Sequence, residues 1–126
     1  MIDFLRSRAH SFQYAFEGWW YVIRTQKNAW IHAVVSVAAI LLGIWLQLPS
    51  RDWAVIILSI AMVWAAEFFN TALEVIVDLA SPQKNHLAKI GKDVGAAAVL
   101  IAAGASVVVG LLIFGPPLWQ KLALIF

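Results

Sequence analysis

The sequence contains no cysteine and few charged residues. Lys, Arg, Asp and Glu make up 13% of its 126 residues, whereas an ordinary soluble domain has about 25%. The lack of cysteine excludes disulfides, thiolate metal sites and a cysteine nucleophile. So few charges cannot cover a water-exposed surface, and 63% of the residues are hydrophobic. The composition therefore predicts an integral membrane protein. With a net charge of +2 and no run of Lys and Arg, it indicates no nucleic-acid partner.

Three apolar stretches are long enough to cross a membrane as helices. They cover residues 29–48, 53–80 and 94–115, and Pro116 and Pro117 end the third. A hydrocarbon core of about 30 Å needs about 20 helical residues. We therefore expect an all-α membrane protein, with residues 1–126 forming a single domain.

Residues 1–28 have a different pattern, typical of an amphipathic helix lying in the membrane surface. One face of the helical wheel is polar: Arg6, His10, Gln13, Glu17 and Arg24. The opposite face is apolar: Leu5, Phe12, Phe16, Trp19 and Ile23. Such a helix could also pack against its own spans. Both arrangements keep it at the interface.

The positions of Lys and Arg predict the orientation in the membrane. Residues 1–28 and the loop at 81–92 together contain seven of them, and the opposite side contains only Arg51 and Lys121. The excess marks the cytoplasmic side. We therefore expect the N-terminus and the 81–92 loop to face the cytoplasm.

The second span contains a stripe of polar residues. At 100° per residue its three carboxylates lie within about 40° of one another, and two further polar residues flank them. The stripe consists of Glu67, Asn70, Thr71, Glu74 and Asp78. A charged residue at the bilayer centre costs about 2.5–3.5 kcal/mol even on the gentler insertion scale, so such residues are functional by default. The structural alternative is a polar seam that joins helices in an oligomer.

The stripe suits phosphoryl transfer to a lipid. Its carboxylates repel one another unless some are protonated or a cation neutralises them, and oxygen ligands favour Mg²⁺. Glu67 lies roughly 16 Å deeper than Asp78 and is placed to act as general base. Glu74 and Asp78 are placed for metal and nucleotide, and Lys92-Asp93 opens the third span at the same level. These residues alone do not separate a kinase from an ion-coupled transporter.

The stripe also resembles the prokaryotic diacylglycerol kinase and undecaprenol kinase family. The resemblance rests on Glu67-Phe-Phe-Asn70-Thr71-Ala72-Leu-Glu74-Val-Ile-Val-Asp78, followed by Lys92-Asp93-Val-Gly-Ala-Ala-Ala98-Val99. Upstream, Ser11-Phe-Gln-Tyr14-Ala-Phe-Glu-Gly18 and Thr25-Gln26-Lys-Asn28 are similar to the family's surface-helix segment. The resemblance implies a homotrimer of three-span subunits in the bacterial cytoplasmic membrane. It also implies Mg-ATP as donor, a membrane lipid alcohol as acceptor, and sites shared between subunits.

The resemblance assigns a role to each matching residue. Glu67 would be the catalytic base and Glu74 a metal ligand, with Gln26 at a second metal-binding position. The residues that would organise nucleotide and metal are Arg8, Tyr14, Asn70, Asp78, Lys92 and Asp93.

Several positions depart from the family pattern. Gln26 stands where many members have glutamate, Trp30 replaces a common basic residue, and the loop reads Lys84-Asn85-His86. A non-catalytic scaffold is therefore an alternative to a kinase.

The segment around Gln26, with Ile31-His32, looks more like the undecaprenol kinase branch than the diacylglycerol branch. The three histidines, His10, His32 and His86, have no ligand spacing, and we expect each at the membrane interface.

Overall fold

The fold is a bundle of helices, and a computed structural model describes residues 1–124 of it. Side chains are described there except those of residues 2–5, 7 and 9. The predicted membrane contact of Leu5 therefore lies outside the described part. So do the last two residues of the predicted domain. Within that part there are four helices and no strand. They are α1 (Ile2–Thr25), α2 (Lys27–Leu46), α3 (Ser50–Ala80) and α4 (His86–Ala123).

Helices α2, α3 and α4 are long and apolar enough to cross a membrane. This confirms the expected fold class, an all-α membrane protein with one N-terminal helix before three spans. Large apolar side chains remain exposed on the outside of the bundle, among them Phe69, Leu100 and Leu111. In water such a surface would be unfavourable, whereas hydrocarbon chains or other helices cover it readily.

The helices end where the backbone leaves helical geometry. Gln26 separates α1 from α2 with an extended conformation (φ −102°, ψ 115°), so α1 ends three residues before the end predicted for the N-terminal helix. Gln47 is left-handed (φ 57°, ψ 48°). Its N–H donates to Ile44 O and that of Leu48 to Gly43 O, each at 3.1 Å. This pair of bonds is the Schellman motif that ends many helices.

The prediction that Pro116 and Pro117 end the third span is wrong, because α4 continues through both prolines to Ala123. A proline inside a helix removes one hydrogen bond and costs about 3 kcal/mol. Tertiary contacts offset this cost. Leu118 packs against a buried apolar cluster on α2 and α3. One turn later, Lys121 Nζ donates to Trp45 O at 2.6 Å and lies 4.4 Å from the centre of the Trp45 ring.

Two close contacts position α2 beside α3. Near the C-terminal end of α2, Gly43 lies against Trp53, and a Cβ on Gly43 would approach Trp53 Cη2 to 2.8 Å. Further in, Trp64 Nε1 of α3 donates to Ser36 Oγ of α2 at 3.1 Å. The Trp64 ring also stacks on Trp19 of α1, with ring centres 5.8 Å apart. Trp64 thus joins three helices just outside the polar stripe.

Candidate active site

Glu74 is held by two amide side chains. Asn70 Nδ2, one turn earlier on α3, donates to Glu74 Oε1 at 3.1 Å. Gln26 Nε2 donates to Glu74 Oε2 at 3.4 Å. The extended backbone of Gln26 at the junction of α1 and α2 brings its side chain to α3. The resemblance alone predicted that residues 26 and 74 meet, and here they meet within one chain.

Asn70 is fixed by the close approach of α4. Its side chain is buried, and its Oδ1 has no hydrogen-bond partner among the described residues. A Cβ on Gly95 would lie only 2.4 Å from that Oδ1, so a side chain at this position of α4 would displace the Asn70 amide. Gly95 therefore leaves space for Asn70 in this chain.

Glu67 is the most deeply placed carboxylate of the stripe, with only 1% of the residue exposed. Its backbone oxygen accepts a hydrogen bond from Thr71 Oγ1 at 2.8 Å. Its Oε2 lies 3.5 Å from His32 Nε2. Although the two atoms are close, their geometry is not that of a hydrogen bond, and neither has another partner in the described part of the chain. Glu67 thus presents an unused acceptor oxygen inside the membrane region.

His32 is a site residue that the sequence reasoning missed, because we expected it at the interface. Its side chain is only 13% exposed, and its ring meets the edge of Trp64 with centres 6.3 Å apart. The contact of His32 with Glu67 follows from the antiparallel register of α2 and α3. His32 follows Gln26 by six residues and Glu67 precedes Glu74 by seven, so the contact of Gln26 with Glu74 predicts that of His32 with Glu67.

The loop end of the stripe has an open, charged pocket of about 550 Å³. Asp78 Oδ1 pairs with Lys92 Nζ at 2.5 Å, and Asp93 pairs with Lys89 one turn earlier. All four of these side chains line the pocket, together with Lys84 of the loop. Its volume and its three lysines suit a polyanionic ligand.

The α1 residues of the predicted site, Arg8 and Tyr14, are exposed. Tyr14 is 65% exposed, and its ring stacks on His10 with centres 6.4 Å apart. Arg8 is exposed on the same helix. Among the described residues, the one ring contact of Tyr14 is with His10, on its own helix.

The residues around Glu74 fit a magnesium ion in part. No group of three His, Cys, Asp or Glu side chains converges anywhere within the described residues. Glu74 supplies one anionic oxygen, and the amides of Asn70 and Gln26 could each present an oxygen after rotation. Mg²⁺ is usually held by one or two carboxylates together with substrate phosphates. A single carboxylate with two amides would therefore need substrate phosphates to complete the shell.

Comparisons with known proteins indicate the family of the chain. A family model described as prokaryotic diacylglycerol kinase matches residues 13–114. The undecaprenol kinase of Bacillus subtilis is 39% identical over 108 residues, covering 86% of this chain and 88% of that one. The diacylglycerol kinase of Synechocystis sp. is 46% identical over 109 residues, covering 86% of this chain but 62% of that one. The diacylglycerol kinase of Escherichia coli is 31% identical over 83 residues, covering 60% and 68%.

Three helices long and apolar enough to cross a membrane make this a multi-pass membrane protein. The chain belongs to the prokaryotic diacylglycerol kinase family, and it is a lipid kinase. Its reaction therefore uses a nucleotide donor.

Proposed function

We propose that this protein transfers the γ-phosphoryl group of ATP, with Mg²⁺, to the hydroxyl of a membrane lipid alcohol. One observation carries the proposal: a fully buried carboxylate, Glu67, lies two helical turns inside Glu74, whose own carboxylate is held by two amides. Two carboxylates in such different surroundings suit two different tasks. Glu67, the more deeply buried carboxylate, would contact the lipid hydroxyl. Glu74, nearer the loop end, would bind metal and phosphate.

In this account Glu67 is the general base. Phosphoryl transfer needs a group that orients the attacking hydroxyl and accepts its proton, while positioning and charge neutralisation supply most of the catalysis. Glu67 Oε2 has no partner in the described part of the chain, so it is free to accept a hydrogen bond from an incoming hydroxyl. The proton moves to Glu67 as the hydroxyl oxygen bonds to the γ-phosphorus and ADP leaves.

Glu74, Gln26 and Asn70 would hold the magnesium ion. When bound, the ion neutralises charge on the phosphate oxygens and aligns them for transfer. In the arrangement seen here, the two amides donate to Glu74 and stabilise its negative charge. Rotation of each amide by about half a turn would replace the donating nitrogen with the amide oxygen, which could then bind the ion. The orientation of an amide depends on the groups around it.

The nucleotide would lie in the charged pocket at the loop end. Asp78, Lys92 and Asp93 line that pocket, and Lys92 is the cation closest to the stripe. Arg8 and Tyr14 would approach from α1. In the implied homotrimer, Arg8 and Tyr14 could come from a neighbouring subunit, whose α1 would lie beside the stripe. The N-terminus and the 81–92 loop would then face cytoplasmic ATP, with the protein in the bacterial cytoplasmic membrane.

The acceptor we propose first is undecaprenol, with diacylglycerol second. The relatives include both an undecaprenol kinase and a diacylglycerol kinase, so their names do not distinguish between the two acceptors. The segment from Thr25 to Asn28 and the Ile31-His32 pair favour the undecaprenol branch. The structure also gives His32 a place beside Glu67, where it can influence acceptor choice.

Purified protein in detergent micelles tests the proposal. Incubated with Mg²⁺, γ-labelled ATP and either undecaprenol or diacylglycerol, it should produce a labelled lipid phosphate. We expect a higher kcat/KM with undecaprenol. If neither alcohol is labelled, while a known kinase of this family labels its own acceptor in the same micelles, the proposed activity is wrong.

A further inference from the structure

The indole of Trp64 is held by three contacts. Its Nε1 donates a hydrogen bond to Ser36 Oγ of α2 at 3.1 Å. Its ring stacks on Trp19 of α1, with centres 5.8 Å apart and planes inclined by 26°. It also lies against Phe68 of its own helix, with centres 6.0 Å apart. Such distances are typical of stabilising aromatic pairs, so the orientation of the Trp64 ring is well defined.

The Glu67 carboxylate, three residues later on α3, has no comparable restraint. Its Oε2 has neither accessible surface nor a hydrogen-bond partner among the described residues, and the same is true of His32 Nε2, 3.5 Å away. Packing, rather than a hydrogen bond to these atoms, therefore holds the two side chains. The His32 ring meets the edge of the Trp64 ring at 70°, and residues three apart on a helix are neighbours. Trp64 thus adjoins both members of the pair.

Helix α1 contacts α3 on both sides of Glu67. Trp19 stacks on Trp64, and Gln26 Nε2 donates to Glu74 Oε2 at 3.4 Å. These two contacts are roughly 15 Å apart along α3 at 1.5 Å per residue, and Glu67 lies between them. Helix α1 therefore follows the part of α3 that carries the buried carboxylate.

Few other contacts hold α1 in this position. Val22 is the one buried side chain of α1 in the part of the helix whose side chains are described. Phe12 and Phe16 are exposed, and Trp19 is half-exposed. An element with few buried contacts moves at low cost in free energy. The contact of Trp19 with Trp64 is therefore important for the position of α1.

We propose that Trp64 is a positioning residue for the Glu67 base and that Trp19 of α1 holds Trp64 in place. The inference rests on the proposed kinase activity. Trp64 acts through His32, which it keeps against Glu67, and does not itself contact the reacting atoms. The carboxylate then has one orientation when it accepts the hydroxyl proton. Misplacement of a catalytic arrangement by about 1 Å can lower a rate about 100-fold, so the position of α1 affects turnover.

Trp19→Leu and Trp20→Leu form a matched pair on α1. Each replaces an exposed indole by a smaller apolar side chain. The Trp20 ring lies under Arg24 of its own helix, at 4.9 Å, whereas Trp19 stacks on Trp64. We expect Trp19→Leu to lower kcat about three- to tenfold with KM for ATP unchanged. Trp19→Phe, which keeps a ring for stacking, should recover most of the loss, and Trp20→Leu should keep the wild-type kcat.

Two kinetic results would overturn the role of Trp19. The first is an equal kcat in Trp19→Leu and Trp20→Leu. The second is a rise in KM for ATP in Trp19→Leu without a fall in kcat, because α1 would then contribute only to nucleotide binding.

A double-mutant cycle tests whether Trp19 acts through Trp64. We expect Trp64→Leu to lower kcat about 10- to 100-fold, and Trp64→Phe, which loses only the hydrogen bond to Ser36, to lower it less. The double variant Trp19→Leu/Trp64→Leu should be no slower than Trp64→Leu, because the contact is already lost there. Losses that multiply would show that the two residues act independently, and would overturn the coupling.

Chemical labelling of Glu67 tests the same contacts without kinase activity. Dicyclohexylcarbodiimide is an apolar reagent that modifies carboxyl groups in apolar surroundings, and mass spectrometry identifies the modified residue. Because Glu67 Oε2 has no accessible surface, labelling should be slow in the wild type and in Trp20→Leu. It should be at least about threefold faster in Trp19→Leu, where the packing around Glu67 opens more often.

The labelling result separates failure of this inference from failure of the proposed activity. Wild-type labelling of Glu67 in Trp19→Leu and Trp64→Leu would mean that Trp64 does not hold Glu67. If Trp64→Leu does not fold, Trp19→Leu alone decides. If labelling changes as expected but the wild type phosphorylates no lipid alcohol, the contact stands and its catalytic role is wrong.

Discussion

Gln26 and Glu74 lie 48 positions apart in sequence, and their side chains meet with Gln26 Nε2 3.4 Å from Glu74 Oε2. An amide thus occupies a place where a second carboxylate would share a metal with Glu74. The amide N–H groups of Gln26 and Asn70 stabilise the lone carboxylate without a cation. A glutamate at position 26 could not do so, because its oxygens would repel those of Glu74.

Gln26→Glu should therefore lower the Mg²⁺ concentration needed for half-maximal activity, by about three- to tenfold. Attraction between a cation and an added carboxylate is stronger in a partly buried site than in water. The same repulsion should mildly destabilise the metal-free protein. A Mg²⁺ titration at fixed ATP measures the first effect, and thermal unfolding in the presence of a chelator measures the second.

Asn28→Asp is the matched control for Gln26→Glu. It adds the same charge two residues away, on an exposed side chain of α2, and should leave the midpoint close to the wild-type value. An unchanged midpoint in Gln26→Glu would mean that position 26 lies outside the metal shell. The metal would then depend on Glu74 and phosphate oxygens.

Gly95→Ala should impair the site while the bundle stays folded. The new methyl group would displace Asn70 Oδ1, which it would otherwise approach to 2.4 Å, and with it the hydrogen bond to Glu74. We expect kcat to fall about tenfold and the Mg²⁺ midpoint to rise. Gly104→Ala on the same helix is the control, because nothing lies within 4 Å of its new Cβ. Equal activity of the two variants would rule out a role for the contact between α4 and Asn70.

Exchange of Asp78 and Lys92 tests whether these residues bind nucleotide or form only a structural ion pair. The double variant Asp78→Lys/Lys92→Asp can still form the pair seen at 2.5 Å, but it reverses the positions of the charges. We expect KM for ATP to rise at least about tenfold in each single variant and in the double variant. Recovery of wild-type kinetics in the double variant would show that the pair only joins α3 to α4.

Most of the fold could be predicted from composition and periodicity, because long apolar stretches and a polar stripe are local properties. The extension of α4 past Pro116 could not. A proline is unfavourable in any isolated helix, and the tertiary contacts that offset the cost, such as the packing of Leu118 and the contact of Lys121 with Trp45, cannot be read from the sequence.

The candidate site could be predicted only where its residues share one helix. Glu67, Glu74 and Asp78 follow from helical spacing alone. The contacts of Gln26 and His32 with α3 depend on the register between two helices, which no periodicity within either helix defines. His32 also lies among apolar neighbours in sequence, so its burial beside Glu67 became evident only from the structure.

The central claim is that the buried Glu67 carboxylate accepts the proton of a lipid hydroxyl. Glu67→Gln keeps the shape of the side chain but cannot accept the proton. The most direct measurement is therefore the rate of lipid phosphate formation by Glu67→Gln, beside Glu17→Gln as a control that removes an exposed carboxylate from α1.

We expect kcat in Glu67→Gln to fall by about 10²–10⁴, while the oligomeric mass and the thermal unfolding midpoint stay close to those of the wild type. Glu17→Gln should retain wild-type kcat. Near-normal turnover in a folded Glu67→Gln protein would contradict the assignment of Glu67 as the base.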